Sequence, residues 1–188
     1  MRARQAQASR WLGVVSLLLA LAIVIWGCAA TSTGGGGDAA GATSHQFGVQ
    51  TKTSGCQVNG ALPDSACTPG AIFTTATKNQ ICQSGYASSV RNVPTSEKNK
   101  VYAEYGIASH YSGEYEVDHL VSLELGGSND ISNLWPEAAS PTPGFHQKDK
   151  VENYLHDQVC SGAIDLATAQ YEIATNWLNI YNQMQSQG

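Results

Sequence analysis

The segment Tyr115-Glu116-Val117-Asp118-His119-Leu120-Val121-Ser122-Leu123-Glu124-Leu125-Gly126-Gly127-Ser128-Asn129-Asp130-Ile131-Ser132-Asn133-Leu134-Trp135-Pro136 sets the architecture of this chain. Tyr115 to Leu125 alternates imperfectly between apolar and polar residues and is broken by Gly126-Gly127. Ile131 to Trp135 is a second short apolar run, stopped by Pro136. The pattern predicts a β-hairpin with an irregular connection. Neighbouring strand residues point to opposite faces. Asp118 and His119 therefore reach one site only if the strand ends or bends there.

On the C-terminal side, two helices follow. Val151, Leu155 and Val159 recur at helical spacing, widened by Tyr154 and Cys160. Asp165 is a good N-cap, and Leu166, Ile173, Ala174, Trp177, Leu178, Tyr181 and Met184 keep one apolar face to the C-terminus. On the N-terminal side, Pro94-Thr95-Ser96 offers a cap for a helix from Glu97 to Tyr105, with Gly106 as its stop. Residues 55–94 carry scattered Gly, Pro, Ser and Thr, which predicts loops, short strands and turns. The fold class expected is α+β.

The chain has 188 residues, of which 42% are hydrophobic and 13% charged, and only 6 are proline. Such a composition excludes a charge-rich disordered tail and a proline-rich fibre, and the length suits one domain with extensions. Arg2, Arg4 and Arg10 precede an uncharged apolar run from Trp11 to Trp26. That run is short for a spanning helix, which needs about 20 residues, and suits a signal peptide. It ends Gly27-Cys28, which resembles a bacterial lipobox with a bulky Trp26 at −2. Residues 1–27 are read as a lipoprotein signal peptide, with an uncleaved anchor as the other possibility, and Cys28 as the lipidated residue. The chain is thus expected outside the cytoplasm, on the membrane by a lipid anchor. Residues 28–54, rich in Gly, Ser and Thr, read as a flexible tether, and residues 55–188 as the domain.

Four other cysteines remain: Cys56, Cys67, Cys82 and Cys160. An even number in an exported domain implies two disulfides, for which three connectivities exist. Cys56 and Cys67 flank a turn-rich segment and make a natural local loop; Cys82 would then pair with Cys160. No Cys-x-x-Cys spacing suggests a zinc site.

The ordered set Asp118-His119, Gly126-Gly127 and Asn133-Leu134-Trp135-Pro136, followed by an amphipathic helix, resembles the HNH nucleases of the ββα-metal superfamily. The motif core covers residues 115–160. Lys148-Asp149, Glu152-Asn153, Leu155-His156 and Val159-Cys160 are similar to a secreted bacterial branch of that family. The resemblance implies that His119 is the general base, since a neutral imidazole takes a proton from water near neutral pH. It implies that Asp118 binds a divalent metal ion, whether Mg, Mn or Zn. Asn133 would pin the loop carrying the base. His146, at the expected start of the helix, is the second metal ligand; Asn153 is a substitute, and His156 lies too far along. Arg91 precedes the first predicted helix and suits a bidentate contact to phosphate, or a surface salt bridge.

Charge runs against this reading. Without residues 1–27 the chain keeps 7 basic against 15 acidic residues, a formal −8. Nucleic-acid binders usually carry a basic footprint. Lys148, Lys150 and Arg91 could form only a local patch, and no separate basic module reads sequence. The function expected is metal-dependent, non-specific cleavage of DNA or RNA. The alternative is a non-catalytic cell-surface binding module on the same scaffold. No protein partner is inferable.

Overall fold

In a computed structural model, residues 47–186 are described. Residues 1–27, most of the tether and Cys28 lie outside them. The described chain runs α1 (Lys78–Ile81), α2 (Tyr86–Val90), α3 (Thr95–Glu104), β1 (Tyr115–His119), β2 (Leu134–Ala138), α4 (Phe145–Ser161), α5 (Leu166–Thr175) and α6 (Trp177–Ser186). Two single 3-10 turns, Leu123–Leu125 and Ile131–Asn133, fill the connection between the strands. The class is α+β.

β1 and β2 pair antiparallel, with Asp118 opposite Trp135 and His119 opposite Leu134. Both strands differ from the sequence reading. β1 stops at His119, because Leu120 and the following residues curl into the first 3-10 turn. β2 begins where the second apolar run was expected to end, and it continues through Pro136. A two-stranded sheet has only edge strands, where a residue without an N–H is tolerated.

The turn Gly126-Gly127 has a steric cause. Gly126 adopts φ +77°, and a Cβ on Gly127 would lie 1.7 Å from the Val121 carbonyl oxygen. The Gly127 N–H instead donates to the Ser122 carbonyl at 2.8 Å. A side chain at position 127 would force the whole connection outward.

The main core lies among α4, α5, α6 and the β1–β2 connection. It buries Leu120, Val121, Leu125, Trp135, Val151, Leu155, Val159, Ile173 and Trp177. Each fully buried aliphatic side chain contributes about 1.5–3 kcal/mol. A smaller cluster of Val101, Val117 and Leu134 packs α3 on the opposite face of the sheet. Asp165 caps α5 by accepting from Thr168 N at 2.8 Å. The single C-terminal helix expected from periodicity is two: Asn176 closes α5, its side-chain Nδ2 donating to the Glu172 carboxylate at 2.7 Å and its Oδ1 accepting from Asn179 Nδ2 at 2.6 Å. Both are side-chain bonds, and the Asn176 backbone carbonyl accepts from the N–H groups of Asn179 and Ile180 to start α6.

Residues 55–77 are turns and isolated bridges, as expected, and two short helices, α1 and α2, interrupt the loops beyond them. Thr77 and Gln80 form a capping box that starts α1, a pattern hidden by the brevity of the helix. The packed chain begins earlier than composition suggests, within the stretch assigned to the tether. Phe47 packs against the main core, Thr51 and Lys52 both donate backbone N–H groups to the Ala66 carbonyl, and Lys52 pairs with Asp64 at 2.9 Å.

Cys56–Cys67 and Cys82–Cys160 are disulfides, 11 and 78 residues apart in sequence. They fit an oxidising compartment. Among the described residues no helix is long and apolar enough to cross a membrane. The longer loop restricts the unfolded chain more. Replacing both Cys82 and Cys160 by Ala should therefore cost about 4.5 kcal/mol, against about 3 kcal/mol for the Cys56/Cys67 pair. Denaturant unfolding of the two double variants checks the order.

Candidate active site

A lysine lies on the buried face of α4. Lys148, Val151, Leu155 and Val159 are all buried on one stripe of the helix, and the Lys148 side chain has no exposed surface. Its Nζ donates to Asp118 Oδ2 at 2.7 Å, to the His119 carbonyl at 2.8 Å and to the Glu152 carboxylate. Ser122 Oγ donates to the other Glu152 oxygen at 2.8 Å. One ammonium group thus joins α4, the end of β1 and the start of the connection. The expectation that Lys148 belongs to a surface patch for nucleic acid is overturned, because its three protons are spent inside the protein.

The charges in this cluster hold one another. Burial alone would push Lys148 down, but Asp118, Glu152 and Glu137 more than reverse it, and the amine stays protonated. Burial likewise works against the charged form of Asp118, yet Lys148 overrides it and keeps that carboxyl below its usual range. Burial pushes Glu137 up to about 10, against the pull of Lys148 and with added repulsion from Asp118. The Glu137 oxygens meet no donor. A proton on this carboxyl gives it a hydrogen bond to donate to Asp118. Burial raises Glu152 to about 7 in spite of Lys148.

His119 is the last residue of β1 and is 2% exposed. Its Nε2 lies 3.2 Å from Asn129 Oδ1. Burial brings its pKa down to about 4, opposed by the Asp118 charge and the Asn129 bond and reinforced by Arg91 and Lys148. The ring is neutral near pH 7.

Asn133 has no exposed surface. Its Oδ1 accepts from Val121 N at 2.9 Å and from Ala71 N at 3.3 Å, while Nδ2 donates to the carbonyls of Val121 at 3.0 Å and Ser128 at 2.8 Å. Four bonds from one amide fix both ends of the irregular connection. Arg91 caps the end of α2 and is exposed; its charge acts on His119, Glu116 and Asp149. His146 is exposed in the first turn of α4, its ring 4.2 Å from that of Phe145, and its charge acts on Asp149. Glu116 and Asp149 are both raised, first by burial and then by the nearby Asp118 charge.

The structure therefore gathers Asp118, His119, Arg91, Glu116 and Asp149 around the end of β1, with His146 beside Asp149. It does not close Asp118, His119 and His146 into one tight ligand set. Among the described residues, the three-membered group with ligand atoms within 4.8 Å of one another is Cys82, His156 and Cys160. That group could bind a metal with its sulfurs reduced. While the Cys82–Cys160 bond is closed it presents only an imidazole, and His156 Nε2 lies 3.1 Å from the Ile81 carbonyl. Ten residues of helix separate His146 from His156, about 15 Å along the axis.

Sequence reasoning missed Asn129 and Glu137, and the pairing of Glu152 with Lys148. A charged residue on the apolar stripe at 148, with a carboxylate one turn later at 152, was a legible sign of a buried ion pair. Nothing in Ser128-Asn129-Asp130 distinguishes Asn129 from an ordinary turn residue.

Comparison with family models, with curated proteins and with solved structures found no match.

Removing one partner of a buried ion pair strands the others. Lys148→Met should therefore destabilise the protein by about 3–5 kcal/mol, read by denaturant unfolding. Lys150→Met, on an exposed position of the same helix, should stay within about 0.5 kcal/mol of the parent.

Proposed function

We propose that this chain is a metal-dependent nuclease that hydrolyses phosphodiester bonds of DNA or RNA outside the cytoplasm. The observation that carries the reading is His119: a neutral imidazole at a strand end, beside Asp118 and within the field of Arg91. Phosphodiester hydrolysis needs a proton acceptor for water and positive charge for the phosphoryl oxygens. His119 supplies the first, and Arg91 can meet two phosphate oxygens at once. Asn133 holds the connection that follows His119, through its bonds to Val121 and Ser128.

The negative field at the end of β1 favours a divalent cation, although its donors are not drawn into a closed ligand set. Beyond burial, Asp118 raises the cost of ionising Glu116 and Asp149, and a divalent cation would relieve that repulsion. Asp118 and His146 would hold the ion, with Glu116 and Asp149 contributing negative field. When bound, a divalent ion would stabilise charge developing on the phosphate. The ββα-metal core of the HNH nucleases is the scaffold this reading assigns to β1, β2 and α4.

A second reading rests on Lys148. It already pairs with Asp118 inside the protein, so that carboxylate has a structural role that needs no bound cation, which a non-catalytic surface-binding module would share. Digestion of plasmid and of RNA by the purified full chain separates the two. With Mg²⁺, Mn²⁺ or Zn²⁺ we expect cleavage that a chelator abolishes, and a loss of about 10²–10⁴-fold in His119→Ala. No cleavage under any of these ions would leave the binding module.

The anchoring at Cys28 belongs to the same proposal. Cys28→Ser should leave the chain without lipid, and mass spectrometry of the mature N-terminus reads it directly. An unmodified Cys28 in the parent would remove the lipoprotein reading.

A further inference from the structure

Asn129 ties His119 to the segment that carries Arg91. Its Nδ2 donates to the Val90 carbonyl at 2.8 Å, and its Oδ1 accepts from the Asn92 N–H at 3.1 Å. A carbonyl can only accept and a backbone N–H can only donate. The orientation of the Asn129 amide is therefore set by two backbone groups, without reference to the histidine. Turning it over would face oxygen to oxygen and N–H to N–H.

Oδ1 of this fixed amide lies 3.2 Å from His119 Nε2. An amide oxygen brings no proton to that contact, so the hydrogen must sit on Nε2. A neutral imidazole carries one ring proton, and its other nitrogen keeps the lone pair.

We propose that Asn129 is the positioning residue of the site: it holds His119 as the Nε2–H tautomer, so that Nδ1 is the nitrogen that takes the proton from water. The same amide grips the backbone on both sides of Arg91, at Val90 and Asn92. One half-buried side chain thus sets the reactive nitrogen and the root of the phosphate-facing arginine together. The role in proton transfer rests on the nuclease reading; the tautomer does not.

Nitrogen-15 NMR of the histidine-labelled full chain at neutral pH, without metal or nucleic acid, reads which ring nitrogen carries hydrogen. For the parent we expect a protonated Nε2 and an unprotonated Nδ1 at His119. In Asn129→Ala we expect a mixture of the two tautomers, together with a fall in kcat of about 10- to 100-fold from loss of orientation. A proton on Nδ1, or on both nitrogens, in the parent overturns the proposal. So does an Asn129→Ala protein that keeps the parent tautomer. Should that variant not fold, the parent spectrum alone decides. A parent with Nε2–H that cleaves neither DNA nor RNA supports the positioning by Asn129 and ends the nuclease reading instead.

Discussion

A single buried ammonium organises this molecule. Lys148 reaches from α4 to Asp118, to the His119 carbonyl and to Glu152, which in turn accepts from Ser122. A charge with no exposed surface is costly unless every proton finds an acceptor. Here all three do: one acceptor comes from the helix itself and two from the end of β1, and the connection beyond is tied in through the Ser122 hydroxyl, which donates to Glu152. The position of α4 against the sheet is thereby specified by direction as well as by apolar contact. Val151, Leu155 and Val159 provide cohesion, but a greasy stripe alone would allow the helix to slide or rotate.

Two asparagines then divide the work that regular structure leaves undone. Asn133 closes the interior of the connection and Asn129 its outer side, each with both amide groups engaged. The connection is mostly free of strand or helix, so its backbone groups need partners from side chains. The result is a rigid loop made with little repetitive hydrogen bonding. Rigid loops of this kind suit groups that must be placed to within a fraction of an ångström.

Much of the fold was legible because its signals were local or periodic. Val151, Leu155 and Val159 announced α4, Gly106 announced the end of α3, and the disulfide pairing followed from export and the turn-rich stretch between Cys56 and Cys67. The strand boundaries were harder. Leu120 to Leu125 is apolar enough for a strand, yet Asn133 draws Val121 into a tight loop through side-chain bonds that span 12 positions and leave no mark on the strand's own pattern. Pro136 punctuates a sequence but not an edge strand. Among the residues of the candidate site, Asp118, His119, Asn133 and His146 were picked out by motif, and Arg91 by its place before a helix. The electrostatic state of Asp118 was not, because it depends on Lys148 across 30 positions. Asn129 was invisible for the same reason: its partners at 90 and 92 belong to another part of the chain.

The bridge between Cys82 and Cys160 also has a topological meaning. Arg91, Glu116, Asp118, His119, Asn129, Asn133, His146 and Lys148 all lie between these two cysteines, within one covalent ring. A protease that cuts the backbone once inside that ring releases no fragment. Both new ends stay on the same molecule, and every group of the site keeps its neighbours at high local concentration. In an oxidising compartment where the bridge stays closed, a single cut would then be damage without dissociation.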